Sequence, residues 1–208
     1  YIELSTTFHN SNATLTLKVD GQVIGSLTGL NITNGAIASV DTLLLTALGG
    51  TGETTHVLID DLYVTDGPTL GEHKVTSLYP DGDVSVSFTR SGGASNFSNV
   101  NQPVADIGSY VSGSVVGDID EYSLTNLPMV PDSIAAVQLT TLARKTDASD
   151  MAVCLKLKSG GVEAVGPNFG LLSTYRRFAH IVENSPATAV DFTAAELNAS
   201  TISVEVVV

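Results

Sequence analysis

The sequence has little of what disulfide-bonded or metal-binding proteins need. Among 208 residues there is no tryptophan and one cysteine. That residue, Cys154, cannot form an internal disulfide, and no neighbouring histidine or second cysteine indicates a metal site. It lies in an alternating stretch, residues 151–158, where we expect it to replace a small core residue.

Basic residues are also scarce. Lys and Arg number 9 against 22 Asp and Glu, so the formal net charge is −13. Such a charge repels phosphate backbones and anionic membranes at long range. No apolar run reaches the roughly 18 residues that a membrane-spanning helix needs. We therefore expect neither a nucleic-acid partner nor a membrane partner. We interpret the negative charge as a feature that keeps an exposed protein soluble.

The beginning of the chain lacks both an initiator Met and a signal peptide pattern. It starts inside the strand-like alternation Tyr1-Ile2-Glu3-Leu4-Ser5. We expect the chain to be a fragment or the ordered part of something longer.

What the sequence does contain favours β-strands. Apolar residues make up 43% and aromatics 6%, while 19 glycines are available for turns. A core of Val, Leu, Ile and Ala with abundant Thr is typical of sheets. The clearest example is the alternation of Leu15, Leu17 and Val19 with polar residues before Asp20-Gly21, which predicts a tight hairpin.

Alternating segments recur at the spacing of a sandwich or jelly roll, about one every 10 to 20 residues. We predict an all-β fold of jelly-roll or β-sandwich type. One short connecting helix is expected where Thr193 can cap the first turn and Glu196 can reach back to it. The predicted strands after the first hairpin are residues 39–47, 55–64, 72–79, 84–89, 109–116, 120–124, 134–144, 151–158, 173–182 and 201–208.

A domain boundary is predicted near residue 69. Residues 65–71 include Asp66-Gly67-Pro68, and Gly and Pro together stop a strand and restrict the linker. The two predicted domains are residues 1–69 and 70–208.

Candidate chemistry rests on acidic pairs, and none has the pattern of a catalytic site. Adjacent strand residues such as Asp60 and Asp61 point to opposite faces, so they cannot line one site together. Asp118, Asp120 and Glu121 could supply calcium ligands, but their spacing matches no known calcium loop. Solvated turn carboxylates are the favoured interpretation, and it also covers Asp81 and Asp83. We predict no enzyme, no catalytic residue, no metal and no cofactor.

Surface recognition is the remaining class of chemistry. Tyrosines can stack on sugar rings, and we name Tyr63, Tyr110 and Tyr122 as possible glycan contacts. The alternative is that they lie at strand edges with hydrated hydroxyls. Two basic pairs, Arg144-Lys145 and Arg176-Arg177, are interpreted as solvated strand ends.

With its Val19-Asp20-Gly21 hairpin and its Ile59-Asp60-Asp61-Leu62-Tyr63 motif, the first segment resembles the C-terminal part of a concanavalin A-like, laminin-G-type jelly roll. The resemblance rests on the Val19-Asp20-Gly21 hairpin and on Ile59-Asp60-Asp61-Leu62-Tyr63, which is similar to the closing strand of that family. About 65 residues are covered, so the resemblance implies a partial, lectin-like first domain.

Short matches spread over nearly all of residues 70–208 carry a second resemblance: Leu70-Gly71, Leu78-Tyr79-Pro80, Asn96-Phe97, Ser109-Tyr110-Val111, Asp120-Glu121-Tyr122, Ala143-Arg144-Lys145, and residues 158–161, 173–176 and 184–188. Together they resemble a module of tailed-bacteriophage structural proteins. In that module a Trp precedes the Thr of the C-terminal helix, and here Phe192 keeps a large apolar anchor. The resemblance implies a virion protein of the tail or the capsid decoration, forming homo-oligomers and contacting other virion proteins. A receptor-binding adhesin for host surface glycans is the alternative.

Overall fold

A computed structural model describes residues 1–33, 59–67 and 70–207. These residues form antiparallel sheets with one short α-helix, so the predicted all-β class is confirmed. The chain divides into two compact units, Tyr1–Thr76 and Ser77–Val208. The boundary expected near residue 69 precedes this division, and the assignment of residues 1–69 to a partial jelly roll stays a prediction.

Unit 1 contains a three-stranded antiparallel sheet in the order β1-β2-β3. The strands are β1 (Ile2–Thr6), β2 (Ala13–Val19) and β3 (Gln22–Leu30). Asp20 and Gly21 join β2 to β3 with φ angles of 48° and 78°, the conformation that a two-residue hairpin turn requires. The predicted hairpin is therefore confirmed.

Two predicted strands of unit 1 are wrong where they can be compared. Residues 59–64 and 72–79 form no strand, whereas residues 39–47 lie outside the described part. Asp61 adopts a left-handed conformation, with φ at 53°, which interrupts an extended chain. Its carboxylate accepts the N–H of Val75 at 2.7 Å, and the Tyr63 hydroxyl donates to the Gly71 carbonyl at 2.7 Å. Side-chain hydrogen bonds thus join the two segments in place of a ladder.

The described residues of unit 2 form nine strands and the helix. Five strands make an antiparallel sheet in the order β10-β9-β12-β7-β4, and β8-β11 and β5-β6 form two-stranded ribbons. The elements are β4 (Pro80–Ser85), β5 (Thr89–Arg90), β6 (Val111–Ser112), β7 (Ile119–Leu124), β8 (Val137–Ala143), β9 (Ala152–Ser159), β10 (Val162–Gly170), β11 (Arg176–Val182), α1 (Ala194–Asn198) and β12 (Thr201–Val207).

Most predicted strands of unit 2 have counterparts, but β10 was not predicted. It contains Gly166 and Pro167, which interrupt the alternation, and a register shift between Val165 and Asn168 accommodates them as a bulge. The strand expected at residues 84–89 instead starts at Pro80, with two register shifts against β7. The one expected at residues 109–116 is two residues long.

The core of unit 2 lies between the five-stranded sheet and the β8-β11 ribbon. Leu157 pairs with Ile202, which pairs with Tyr122, so these side chains share one sheet face. Phe192, directly before the N-cap Thr193 of α1, is buried among them and keeps the anchor role expected from the sequence. The buried cluster is Leu139, Leu155, Leu157, Val182 and Phe192.

The helix α1 has the predicted cap. The Glu196 N–H donates to the Thr193 hydroxyl at 3.2 Å, and the Thr193 N–H donates to the Glu196 carboxylate at 2.9 Å. This reciprocal capping box satisfies two donors that a helix start otherwise leaves free. The second Glu196 oxygen accepts from the hydroxyls of Ser185 and Thr188. These bonds, first the one from the Thr193 backbone, lower the pKa of Glu196.

Candidate functional site

The most deeply buried acid is Asp120, on the core face of β7. Its exposed fraction is 0%. One carboxylate oxygen accepts the N–H groups of Ser87 and Phe88, each at 2.8 Å. The other accepts from the Asn96 amide and the Tyr122 hydroxyl, each at 2.7 Å. Four donors thus replace the water that the charged group loses on burial.

A second carboxylate holds the same loop from the other side. Asp83 in β4 accepts the N–H of Asn96 at 3.0 Å and the N–H of Phe97 at 2.6 Å. The buried Asn96 amide also donates to the Phe88 carbonyl at 2.9 Å. Asp83 and Asp120 therefore fasten residues 87–97 to the sheet. With its oxygens occupied and no access to solvent, Asp120 serves as an anchor for this loop.

The three residues considered for calcium do not converge. The Asp118 carboxylate accepts the N–H groups of Ser114 and Val115 at 3.1 and 2.9 Å, whereas Asp120 points into the core. Glu121 lies on the opposite face of β7, 3.3 Å from the Lys158 ammonium. In the part of the chain that the structure describes, no group of three or more acidic, His or Cys side chains could hold a metal ion.

The outer face of the five-stranded sheet carries a ladder of ion pairs. The Lys156 ammonium lies 2.6 Å from Glu205 on β12 and 3.5 Å from Glu163 on β10. The contact with Glu205 contributes most to raising the pKa of Lys156. Cys154, on the same face, is buried, and burial raises the pKa of its thiol. This thiol therefore lacks the character of an activated nucleophile.

The three tyrosines named as possible glycan contacts are not brought together. Tyr122 has an exposed fraction of 4%, and burial, with the bond to Asp120, raises its pKa. Its ring offers no free face for stacking on a sugar. Tyr63 belongs to unit 1 and packs edge-on against His73, with 6.1 Å between the ring centroids. Tyr110 belongs to unit 2 and is 46% exposed, which leaves its ring available.

The two basic pairs, by contrast, meet at one end of the β8-β11 ribbon. Arg176 pairs with Ala143, the residue before Arg144. The Arg144 guanidinium lies over the Tyr175 ring, 4.7 Å from the centroid, and the Lys145 N–H donates to the Leu172 carbonyl at 2.8 Å. We call the four cations Arg144, Lys145, Arg176 and Arg177 the basic end.

A groove of about 350 Å³ adjoins the basic end. Its polar lining comes from Lys145, Asp150 and Asn168, and its apolar lining includes Met151 and Leu171. The sequence showed both basic pairs at the ends of predicted strands. The signal that was missed is the antiparallel pairing of those strands, which places the pairs side by side.

Unit 1 has an inverted distribution of polarity. Glu3 on β1 is buried and lies 2.7 Å from the Lys18 ammonium. On the other face the large side chains are exposed, with fractions of 72% for Ile2, 60% for Leu4 and 56% for Leu27. We call Ile2, Leu4, Leu17 and Leu27 the apolar row. Such a surface is typical of a docking site.

No family model, curated protein or solved structure matches the chain. Its function is therefore inferred from its own surfaces and from the resemblance of its residues. Among the described residues, no helix has the length and hydrophobicity to cross a bilayer.

Proposed function

We propose that the chain is a structural protein of a tailed-bacteriophage particle, acting through assembly and display surfaces as a tail component or a capsid decoration. The resemblance of residues 70–208 to a module of phage structural proteins supports the assignment to a phage particle. The apolar row of unit 1 is the observation that carries the mode of action. Exposed Ile2, Leu4 and Leu27 favour contact with another apolar surface, and a neighbouring virion protein can bury them.

Repetition on a symmetric particle makes such a surface effective. Each copy presents the same row, so a weak contact is repeated many times and its effect is multiplied. The ion pair between the buried Glu3 and the half-buried Lys18 lies on the opposite face, so the polar side of the sheet is away from the contact. No catalysis is part of this proposal, because the buried Asp120 and the exposed Asp83 both fasten a loop.

Mass spectrometry of purified particles tests this function. The phage whose genome encodes the chain is purified through a density gradient, and its proteins are quantified. We expect peptides of this chain in a fixed ratio to the major capsid or tail protein. Particles that lack these peptides, while infected cells contain them, would refute the proposal.

A receptor-binding adhesin for host surface glycans is the second candidate. The exposed Tyr110 ring and the groove beside the basic end support it, since aromatic faces and polar grooves are common sugar-binding features. A glycan array probed with the purified chain tests this alternative, and hits above background are its expected result.

A further inference from the structure

The basic end concentrates positive charge in an acidic protein. Four of the chain's 9 Lys and Arg residues lie there, although the net charge is −13. Lys18, Lys156 and Lys158 each have a carboxylate partner. Within the described residues, none of the four cations of the basic end forms an ion pair.

This arrangement has an electrostatic cost that an anion would remove. The β8-β11 pairing brings like charges together, and these charges repel one another. Asp147 attracts the Lys145 charge and Asp150 lines the same groove, but the hydrogen bond of the Lys145 ammonium goes to the Ser149 carbonyl, at 2.6 Å. At about 0.15 M salt the screening length is near 8 Å. An anion at this end is then attracted by the four cations and repelled by the nearby carboxylates of Asp147 and Asp150, while more distant carboxylates are screened.

The groove indicates the size and polarity of the ligand. About 350 Å³ is near the lower end of the range for small-molecule sites, enough for one or two sugar rings. Lys145 supplies donors, Asp150 supplies acceptors and Asn168 supplies both. A mixed set of donors and acceptors fits a molecule rich in hydroxyl groups.

We propose that the basic end and its groove bind an acidic saccharide. A carboxylate-bearing sugar would occupy the groove beside Lys145. Arg176 and Arg177 are adjacent in β11 and point to opposite faces, so they would pair with carboxylates of different sugars along the saccharide, and Arg144 with a further one. Arginine is suited to this role because its planar fork can hold a carboxylate through two hydrogen bonds. This inference gives the adhesin alternative a ligand class and a site, and it is independent of virion membership.

An acidic saccharide has a lower charge density than nucleic acid, and this difference favours the saccharide as the ligand. Double-stranded DNA carries one charge per about 1.7 Å of axis, so it would extend past four cations onto a strongly acidic surface. A sugar acid has one carboxylate per ring and matches a small patch. Binding of DNA is accordingly an outcome that the test must include.

Isothermal titration calorimetry on the purified full chain tests the proposal, at about 0.15 M salt, where distant charges are screened. The probes are tetramers of galacturonic acid and of sialic acid, the same tetramers with their carboxyl groups reduced to alcohols, and a short single-stranded DNA. We expect heat of binding with at least one acidic tetramer and none with its reduced form. No binding of either acidic tetramer, equal binding of the reduced form, or tighter binding of DNA would overturn the proposal.

Variants locate the site. Arg176→Gln combined with Arg177→Gln should weaken binding by about tenfold or more, because charge-assisted hydrogen bonds are lost. Lys145→Gln should weaken it as well. Arg90→Gln is the matched control, since Arg90 is another exposed cation of unit 2, located outside the basic end. Circular dichroism confirms folding of each variant. Equal losses for Arg90→Gln and the double variant would place binding elsewhere and refute this site.

Discussion

Replacement of Asp120 by Asn should destabilise unit 2 strongly although it changes one atom of the side chain. The carboxylate accepts four hydrogen bonds, two on each oxygen. In Asp120→Asn one oxygen becomes an NH₂ group and faces two donors. The Tyr122 hydroxyl can rotate and accept, but the Asn96 amide is held by the Phe88 carbonyl. The NH₂ group therefore opposes at least one fixed donor.

The magnitude follows from the number of bonds affected. A hydrogen bond to a charged group contributes about 1.5–3 kcal/mol, and two such bonds are disrupted. Removing a buried charge that has no cationic partner offsets part of this loss. We expect a net decrease of about 2–4 kcal/mol in the free energy of unfolding. Tyr122→Phe removes one donor and should cost about 1.5–3 kcal/mol.

Urea denaturation followed by far-UV circular dichroism measures these changes. Hydrogen exchange adds a local measurement, because the Ser87 and Phe88 amides donate to Asp120 and should exchange faster in Asp120→Asn. A double-mutant cycle with Tyr122→Phe should show coupling of about 1 kcal/mol or more. Stability within about 0.5 kcal/mol of the wild type, with unchanged exchange at Ser87 and Phe88, would refute the anchor role of Asp120.

Three further changes probe the core, a close approach and the helix cap. Phe192→Ala should lower the free energy of unfolding by about 3–5 kcal/mol, measured by urea titration, because its ring is buried beside Leu157; a loss below 1 kcal/mol would contradict the packing. Gly113→Ala should cost about 1–3 kcal/mol, seen as a lower melting temperature, since an added Cβ would lie 2.6 Å from Phe88 and from Val206; an unchanged melting temperature would contradict that contact. Thr193→Ala should cost about 1 kcal/mol through loss of the cap. The pKa of Glu196 is lowered in the folded state, so the stability it contributes is present above its unfolded pKa and is lost as pH falls through the folded value. Glu196→Gln keeps the geometry of the capping box but cannot be protonated. Melting curves should therefore show that this variant loses less stability than the wild type on acidification. If the stability of the two proteins falls in parallel with pH, the capping role is contradicted.

Local chemistry made much of this fold predictable from the sequence. The Asp20-Gly21 hairpin and the Thr193 cap depend on neighbouring residues, so their patterns were sufficient. Strand β10 was not predicted because Gly166 and Pro167 usually interrupt a strand. In the structure, the pairing of β10 with β9 accommodates these two residues as a bulge. Residues 59–64 have a strand-like composition, but Asp61 uses its side chain to hold Val75 instead.

The candidate sites were less predictable because they depend on long-range pairing. Asp120 was seen as one of several turn carboxylates, since nothing local reveals that Asn96 will reach it. The basic end was visible as two separate pairs. The pairing register of β8 and β11 brings the two pairs together into one patch. This register cannot be predicted from the sequence of either strand alone. Tyr122 was named as a glycan contact from residue type, while its face of β7 decides its burial.

Electron cryo-microscopy of intact particles tests the proposed function most directly. The phage that encodes this chain is imaged with the particle symmetry resolved on head and tail. We predict repeated density that fits the five-stranded sheet of unit 2, with the apolar row of unit 1 buried against a neighbouring virion protein. Particles fully accounted for by other proteins, with no density for this chain, would contradict the account.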